Sequence, residues 1–182
     1  MRTAERETDV TRADEEFRGF AHARFKPMVR AAVLLGCSSV EAEDAAQDAL
    51  VRCYVAWRRV SAADDPGAYA YRVLVNGIHR GRRRRWRGEL PHAVLPEDTP
   101  EADPGDDVSL GVTVRAALAR LPAGQRDVVV LRYLADLSEA ATAEALHVSK
   151  GTVKSRASRA LTALSHDPAL AGITTPRTQE DR

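Results

Sequence analysis

Residues 149–164 read SKGTVKSRASRALTAL. Ser149 is a residue type that favours the N-cap of a helix, and Thr152 follows three positions later. Val153, Ala157, Ala160, Leu161 and Leu164 recur at helical spacing and form one apolar stripe. Lys150, Thr152, Lys154, Ser155, Arg156 and Arg159 fall largely outside that stripe. A short helix with one buried face and an opposite face rich in cations and hydroxyls suits a DNA groove. An ordinary solvated surface helix carries the same pattern, so the segment before it decides.

That segment is DLSEAATAEAL (136–146), followed by HVS. Ser138 is a natural N-cap, although no Glu follows it three residues later. Two helices joined by a turn of about three to four residues, the second presenting cations at its N-terminal end, describe a helix-turn-helix. His147 stands where Gly is common in such turns, and His tolerates positive φ better than most residues. Further upstream, VTVRAALARL (112–121) is a short amphipathic helix stopped by Pro122. AGQRDVVVLRYLA (123–135) is another, with Val128, Val129, Leu131, Tyr133 and Leu134 available for a core. Residues 112–166 therefore read as one small helical domain, with a flexible tail at 167–182.

Working outward, the charge is segmented although the 182-residue chain sums to only +1. Residues 17–88 hold fourteen basic and six acidic residues, and residues 115–166 hold eight and four. Between them, residues 89–114 carry seven acids and no Lys or Arg. ELPHAVLPEDTPEADPGDDVSLG (89–111) also contains four prolines, which preclude a regular element and mark an extended acidic linker. Two basic blocks thus flank an acidic spacer, and the near-neutral average hides a polar, segmented molecule.

Residues 1–14 are polar and read as a disordered arm. From Glu15 to Leu35, Phe17, Phe20, Ala21, Phe25, Met28, Val29, Ala32 and Val33 are spaced for a helix, with Pro27 as an interruption. Gly36 is a stop, and Ser38 or Ser39 a new cap. The next helix, about 40–60, is expected to bury Ala45, Ala49, Leu50, Cys53, Ala56, Trp57 and Val60, with Val55 less centrally. Its exposed strip holds Glu43, Asp44, Gln47, Asp48 and Arg52. Acids near a helix N-terminus are favoured by its dipole, so capping electrostatics alone account for them; a docking surface for a basic partner is the other reading. After Pro66, a third helix spans about 68–86 and ends in NGIHRGRRRRWRG. Six arginines between Arg80 and Arg87 repel one another unless phosphate neutralises them. Such a run is often a solvated face, but Trp86 among the arginines also fits stacking on unpaired bases.

Cys37 and Cys53 are the only cysteines, without a CxxC or zinc spacing, and read as small core residues in a reducing compartment. No metal site and no cofactor are expected. The N-terminus lacks a signal-like apolar run, and no stretch approaches the roughly 18 apolar residues that span a bilayer. A cytoplasmic protein without membrane insertion is expected. Neither HExxH nor paired-carboxylate spacing appears, which argues against a metal-dependent nuclease built on His79 and His92.

Taken together, AEDAAQDAL (42–50) with Trp57, DDPGAYAYRVLVNGIHRGRRRR (64–85) and LPAGQRDVVVLRYLADLSEAATAEALHVSKGTVKSRASRAL (121–161) resemble the sigma-70 superfamily. The resemblance is to group four, the extracytoplasmic function (ECF) sigma factors, and within it to the actinobacterial sigma-E-type subfamily. It implies an all-α chain of two small helical domains, residues 15–88 and 112–166, joined by the linker at 89–111. It implies a non-enzymatic subunit that binds core RNA polymerase and directs promoter-specific initiation. Glu43, Asp44, Gln47 and Asp48 match the segment that docks on the clamp helices of the largest core subunit. Asn76, His79, Arg80, Arg82 and Arg83 match the part that meets the −10 element. Lys150, Thr152, Lys154, Ser155, Arg156 and Arg159 fall on the −35 recognition helix. The apolar face with Val129 and Tyr133 is expected to support docking on the flap of the second-largest subunit. Promoter DNA and an anti-sigma factor complete the expected partners. A stand-alone helix-turn-helix regulator is the alternative, but it needs a ligand pocket or receiver-type pattern that residues 1–88 do not offer. Gly77 and Gly81 within the −10 segment predict a kinked or loosely ordered helix there.

Overall fold

The computed structural model describes residues 2–88 and 108–171, with side chains from 11 to 84 and from 111 to 171. No strand occurs among the described residues. Helix α1 spans Arg2–Leu34 with Pro27 inside it. The expected arm through residue 14 is therefore helical from Arg2 onward. Contacts are seen from Arg12 onward. Arg12 Nε donates to Glu16 Oε1 at 3.1 Å, one turn on, and Tyr54 Oη donates to Asp14 Oδ1 at 2.9 Å. Phe17 and Phe20 lie 5.2 and 5.1 Å from the Trp57 ring, so burial holds the helix that composition alone would leave frayed.

α1 stops at Gly36, which takes φ +98°, and Cys37 N donates to Ala32 O at 3.1 Å across the turn. Helix α2 (Ser39–Val55) starts on a capping box: Ser38 Oγ accepts from Glu41 N and Glu41 Oε2 accepts from Ser38 N. It buries Ala42, Ala46, Ala49, Leu50 and Cys53. Val55, expected at the margin of that stripe, is instead 82% exposed. After the single turn α3 (Trp57–Val60), helix α4 runs Pro66–Gly88. Asp65 Oδ1 accepts from Ala68 N at 2.8 Å at its start. α4 continues through Gly77 and Gly81 without a break. Ala70, Tyr71, Leu74, Val75 and Ile78 anchor its buried face, which outweighs two weak helix formers.

In the C-terminal half, α5 (Val108–Arg120) begins inside the stretch expected to be linker; the rest of the linker, 89–107, lies outside the described residues, as does the tail from 172. α6 (Ala123–Val129) passes into a π-helical turn, Val130–Leu134, where Ala135 N donates to Val130 O at 2.9 Å. The turn buries Val130 and Leu131 and leaves Tyr133 and Leu134 about half exposed, so those two do not enter the core as expected. α7 (Glu139–Leu146) and α8 (Lys150–Ser165) are capped by Ser138 and Ser149, each side-chain oxygen accepting an amide three residues on. His147 ends α7 at φ 54°, ψ 45°, the left-handed conformation its position required.

One apolar core runs through both halves. Met28, Leu35, Leu74 and Val75 belong to the same cluster as Leu118, Val130, Leu131 and Leu137. Fully burying side chains of this size stabilises by about 1.5–3 kcal/mol each. A smaller cluster of Val128, Ala143 and Val153, flanked by Leu146, Val148 and Ala157, ties α6, α7 and α8 together. It sets the angle at which α8 is presented.

Candidate nucleic-acid interface

Helix α4 carries one apolar and one cationic face because its buried and basic residues are out of phase by half a turn. On the cationic face, Tyr69, Arg72, Val73, Asn76, His79, Arg80 and Arg83 line a cleft of about 680 Å³ together with Arg52, Ala56 and Arg59. Leu146 and His147, at the end of α7, close its far side. The five arginines give the cleft a strong positive field, and two of them lie near its tyrosine ring. The Arg72 and Arg59 guanidinium carbons lie 4.6 and 5.7 Å from the Tyr69 ring centroid. Arg59 Nη2 also donates to Tyr69 Oη at 2.8 Å. Such a surface neutralises phosphates and offers a flat ring and an amide to unpaired bases.

Of the five residues assigned to the −10 contact, Asn76, His79, Arg80 and Arg83 share this cleft. Arg80 Nε donates to Asn76 O at 3.1 Å, which lays the guanidinium along the helix. Arg82 does not join them. It is half-buried on another side of α4, where its Nη2 donates to Leu35 O at 2.6 Å and packs beside Gly36. A β-carbon at Gly36 would lie 3.1 Å from that nitrogen, so the glycine is needed for space as well as for its φ. Arg52, Arg59, Tyr69 and Arg72 do not stand out in the sequence as binding residues. The available signal is the spacing of Tyr69, Arg72, Asn76, Arg80 and Arg83, which is one helical face.

Glu43, Asp44, Gln47 and Asp48 are all exposed on α2. The same helix shows Val40, Val51 and Val55 at 66, 60 and 82% exposure. An acidic strip with three bare valines fits a protein partner with cations around an apolar seat better than capping alone. Val129 and Tyr133 part company: Val129 is buried in the shared core, whereas Tyr133 faces solvent beside Leu134. The expected flap surface at Val129 is thus covered in this arrangement.

On α8, Lys150, Lys154, Ser155 and Arg159 are exposed. Lys154 Nζ lies 3.7 Å from Glu139 Oε2, a pairing weak enough to exchange for phosphate. Thr152 and Arg156 are half-buried. Thr152 Oγ1 sits 2.9 Å from Ser149 Oγ within the cap, and Ser155 Oγ donates to Thr152 O at 3.1 Å. The hydroxyls therefore shape the helix start while the lysines and Arg159 extend from it. At its other end, Arg120 makes a forked pair with Asp167 at 2.6–2.9 Å, pinning the residues after α8 to α5. The Arg120 hydrogen bonds hold the Asp167 carboxyl below its ordinary pKa.

Among the described residues there is no group of three or more His, Cys, Asp or Glu able to hold a metal. No helix among them is long and apolar enough to cross a membrane.

Known proteins resemble this chain in sequence and in fold. Residues 21–88 match the family description "Sigma-70 region 2", and residues 112–164 match "Sigma-70, region 4". The chain is 35% identical over 152 residues to the RNA polymerase sigma-E factor of Streptomyces coelicolor, covering 84% of this chain and 85% of that protein. It is 36% identical over 131 residues to the ECF RNA polymerase sigma factor SigM of Mycobacterium tuberculosis, covering 72% and 66%. A similar fold occurs in the sigma factor RpoE of Bartonella quintana, solved with the anti-sigma factor NepR, with a TM-score of 0.70, 23% identity and coverage of 88% of this chain and 99% of that one. CnrH, solved with the cytosolic domain of CnrY, has a TM-score of 0.60 at 22% identity and 89% and 91% coverage. With regions 2 and 4 in order across an acidic spacer, the chain belongs to the sigma-70 family of RNA polymerase sigma factors, in its ECF group.

Proposed function

We propose that this sigma factor grips a promoter at two points and melts it at one. The observation that carries the reading is the arginine cleft on α4, with Asn76 and Tyr69 set among Arg52, Arg59, Arg72, Arg80 and Arg83. Exchanging stacked duplex for single strand costs a few kcal/mol per step, and base stacking with phosphate neutralisation offsets it. The cleft supports capture of the opened −10 strand, with Asn76 and Tyr69 meeting bases and the arginines holding the backbone. The exposed face of α8 supports duplex contact at −35: Lys150, Lys154 and Arg159 reach the groove and phosphates, while Thr152 and Ser155 present the helix start. Glu43, Asp44, Gln47 and Asp48 on α2, flanked by Val51 and Val55, dock on the clamp helices of the largest core subunit. Tyr133 and Leu134 begin the contact with the flap of the second-largest subunit. The protein performs no catalysis of its own and works in the cytoplasm. An anti-sigma factor that covers the α2 and α4 faces is the expected negative partner.

Binding of the purified chain to core polymerase, followed by runoff transcription on a panel of genomic promoters, tests the reading. Transcripts that appear only with both components support it. Tight, specific duplex binding by the chain alone with no core complex would instead support a stand-alone regulator.

A further inference from the structure

The geometry points to a specificity-determining residue outside the recognition helix: Glu139, at the start of α7, holds Lys154 for a base edge and withholds it from phosphate. The inference rests on the −35 reading of α8 given above and names a residue that sharpens its sequence preference. Residues 147–166 hold four cations, Lys150, Lys154, Arg156 and Arg159, and no carboxylate. Of the four, only Lys154 has a carboxylate within ion-pair distance among the described residues: its Nζ lies 3.7 Å from Glu139 Oε2. That carboxylate comes from the neighbouring helix, so the turn between α7 and α8 brings the two charges together.

The backbone under both residues is fixed. Ser138 Oγ, one position before Glu139, caps α7 by accepting from Ala141 N at 3.1 Å. Val148 N donates to Ala143 O at 3.0 Å across the left-handed His147. Val153, beside Lys154 in the chain, is 1% exposed in the cluster with Val128 and Ala143. The side chains themselves reach water: Lys154 is 68% and Glu139 39% exposed. The pair is thus set in position and weak in strength.

An acid at the start of α7 is favoured by the helix dipole, but Ser138 already serves the cap. In a helix-turn-helix the first helix crosses the DNA backbone, where a carboxylate repels phosphate. The consequence depends on what Lys154 meets. Guanine O6 and N7 are uncharged acceptors and an ammonium has three N–H donors, so Lys154 can serve a base edge and keep Glu139. Phosphate instead draws the ammonium away and leaves a bare carboxylate beside an anion. Sequence-independent binding runs through phosphate, so this cost falls on wrong sites and spares the right one.

The test uses holoenzyme assembled from core polymerase and the full chain, wild type or Glu139→Gln, on a duplex promoter with its −35 element intact or scrambled. Glu139→Gln is expected to bind the scrambled duplex roughly two- to fivefold more tightly and the intact one unchanged, so that discrimination falls by that factor. On the scrambled duplex its slope of log affinity against log salt should steepen by about 0.9, the mark of one added phosphate contact. In a Lys154→Ala background the same substitution should alter neither quantity. An unaltered ratio and slope overturn the proposal, and a lowered melting temperature alone would leave Glu139 as a helix-start acid. A gain that persists without Lys154 overturns it too, because the carboxylate then acts by repelling DNA directly. Wild-type holoenzyme that binds both duplexes equally would instead sink the −35 reading of α8, and this inference with it.

Discussion

The guanidinium of Arg156 on α8 lies against Gly124 on α6, so that a β-carbon at Gly124 would stand 3.0 Å from Arg156 Nη1. Arg156 is half-buried there, while Lys154 on the same helix is exposed. Arg156 thus braces the recognition helix against α6, whereas Lys154 is held only by its 3.7 Å pair with Glu139. Lys154→Ala is expected to weaken −35 duplex binding several-fold and leave the melting temperature unchanged. Arg156→Ala, which removes packed methylenes as well as charge, is expected to lower both. Calorimetry beside duplex binding separates them; equal stability of the two variants contradicts the brace.

In the cleft, Arg80→Ala and Arg83→Ala should each weaken single-strand binding. Removing one phosphate-neutralising cation reduces the slope of log affinity against log salt by about 0.7 for a single strand. Titrations at four salt concentrations give the slope. Variants with the wild-type slope would remove those side chains from the backbone contact. Arg82→Ala is expected to behave differently, because Arg82 bonds Leu35 O and lies apart from the cleft: stability falls and the slope is kept.

The docking face on α2 can be tested at its margin. Val55 is 82% exposed, so Val55→Asp should fold normally, yet a charge placed in an apolar seat should weaken core binding by tenfold or more, about 1.4 kcal/mol. Circular dichroism and core-binding titration check the two halves of that statement. Undiminished core binding would move the docking surface elsewhere.

Cys53 is fully buried between the helices of the N-terminal half, and burial pushes its thiol up to about 11. Burial also raises the Tyr71 hydroxyl above its ordinary value. Groups with raised folded pKa values contribute stability that is complete below their unfolded pKa and is lost as pH rises through the folded one. Denaturant midpoints should therefore hold up to about pH 9 and fall between there and pH 11, with Cys53→Ala reducing the drop. The thiols of Cys37 and Cys53, both buried, should react with a disulfide reagent only after unfolding.

Local rules serve where local chemistry decides. Ser38, Ser138 and Ser149 cap the helices their sequence positions suggest, and His147 takes the left-handed turn. The acidic strip on α2 and the lysines of α8 are exposed as their spacing implies. What spacing cannot supply is which charged groups are already engaged. Asp127 sits in a run, GQRDVVV, that gives no sign of a carboxylate buried against a histidine 48 residues earlier. Arg82 is one of six neighbouring arginines, and its bond to Leu35 O, in the space that Gly36 leaves, keeps it apart from the cleft. The first helix is under-read for the same reason: Asp14 and Phe17 are held by Tyr54 and Trp57, which lie some forty residues away. Contacts between distant segments override composition, and they also make one core out of two charge-separated halves.

Whether the α4 cleft holds an opened −10 strand within polymerase is tested most directly by runoff transcription with core enzyme on linear genomic promoters, compared with the same promoters carrying a pre-opened −10 bubble. Promoter-selective transcripts should require this chain. They should be lost from closed promoters with the double variant Arg80→Ala, Arg83→Ala, and be largely restored on the bubble templates. Wild-type transcription by that variant on closed promoters, or the same transcripts from core enzyme alone, would contradict a strand-holding cleft.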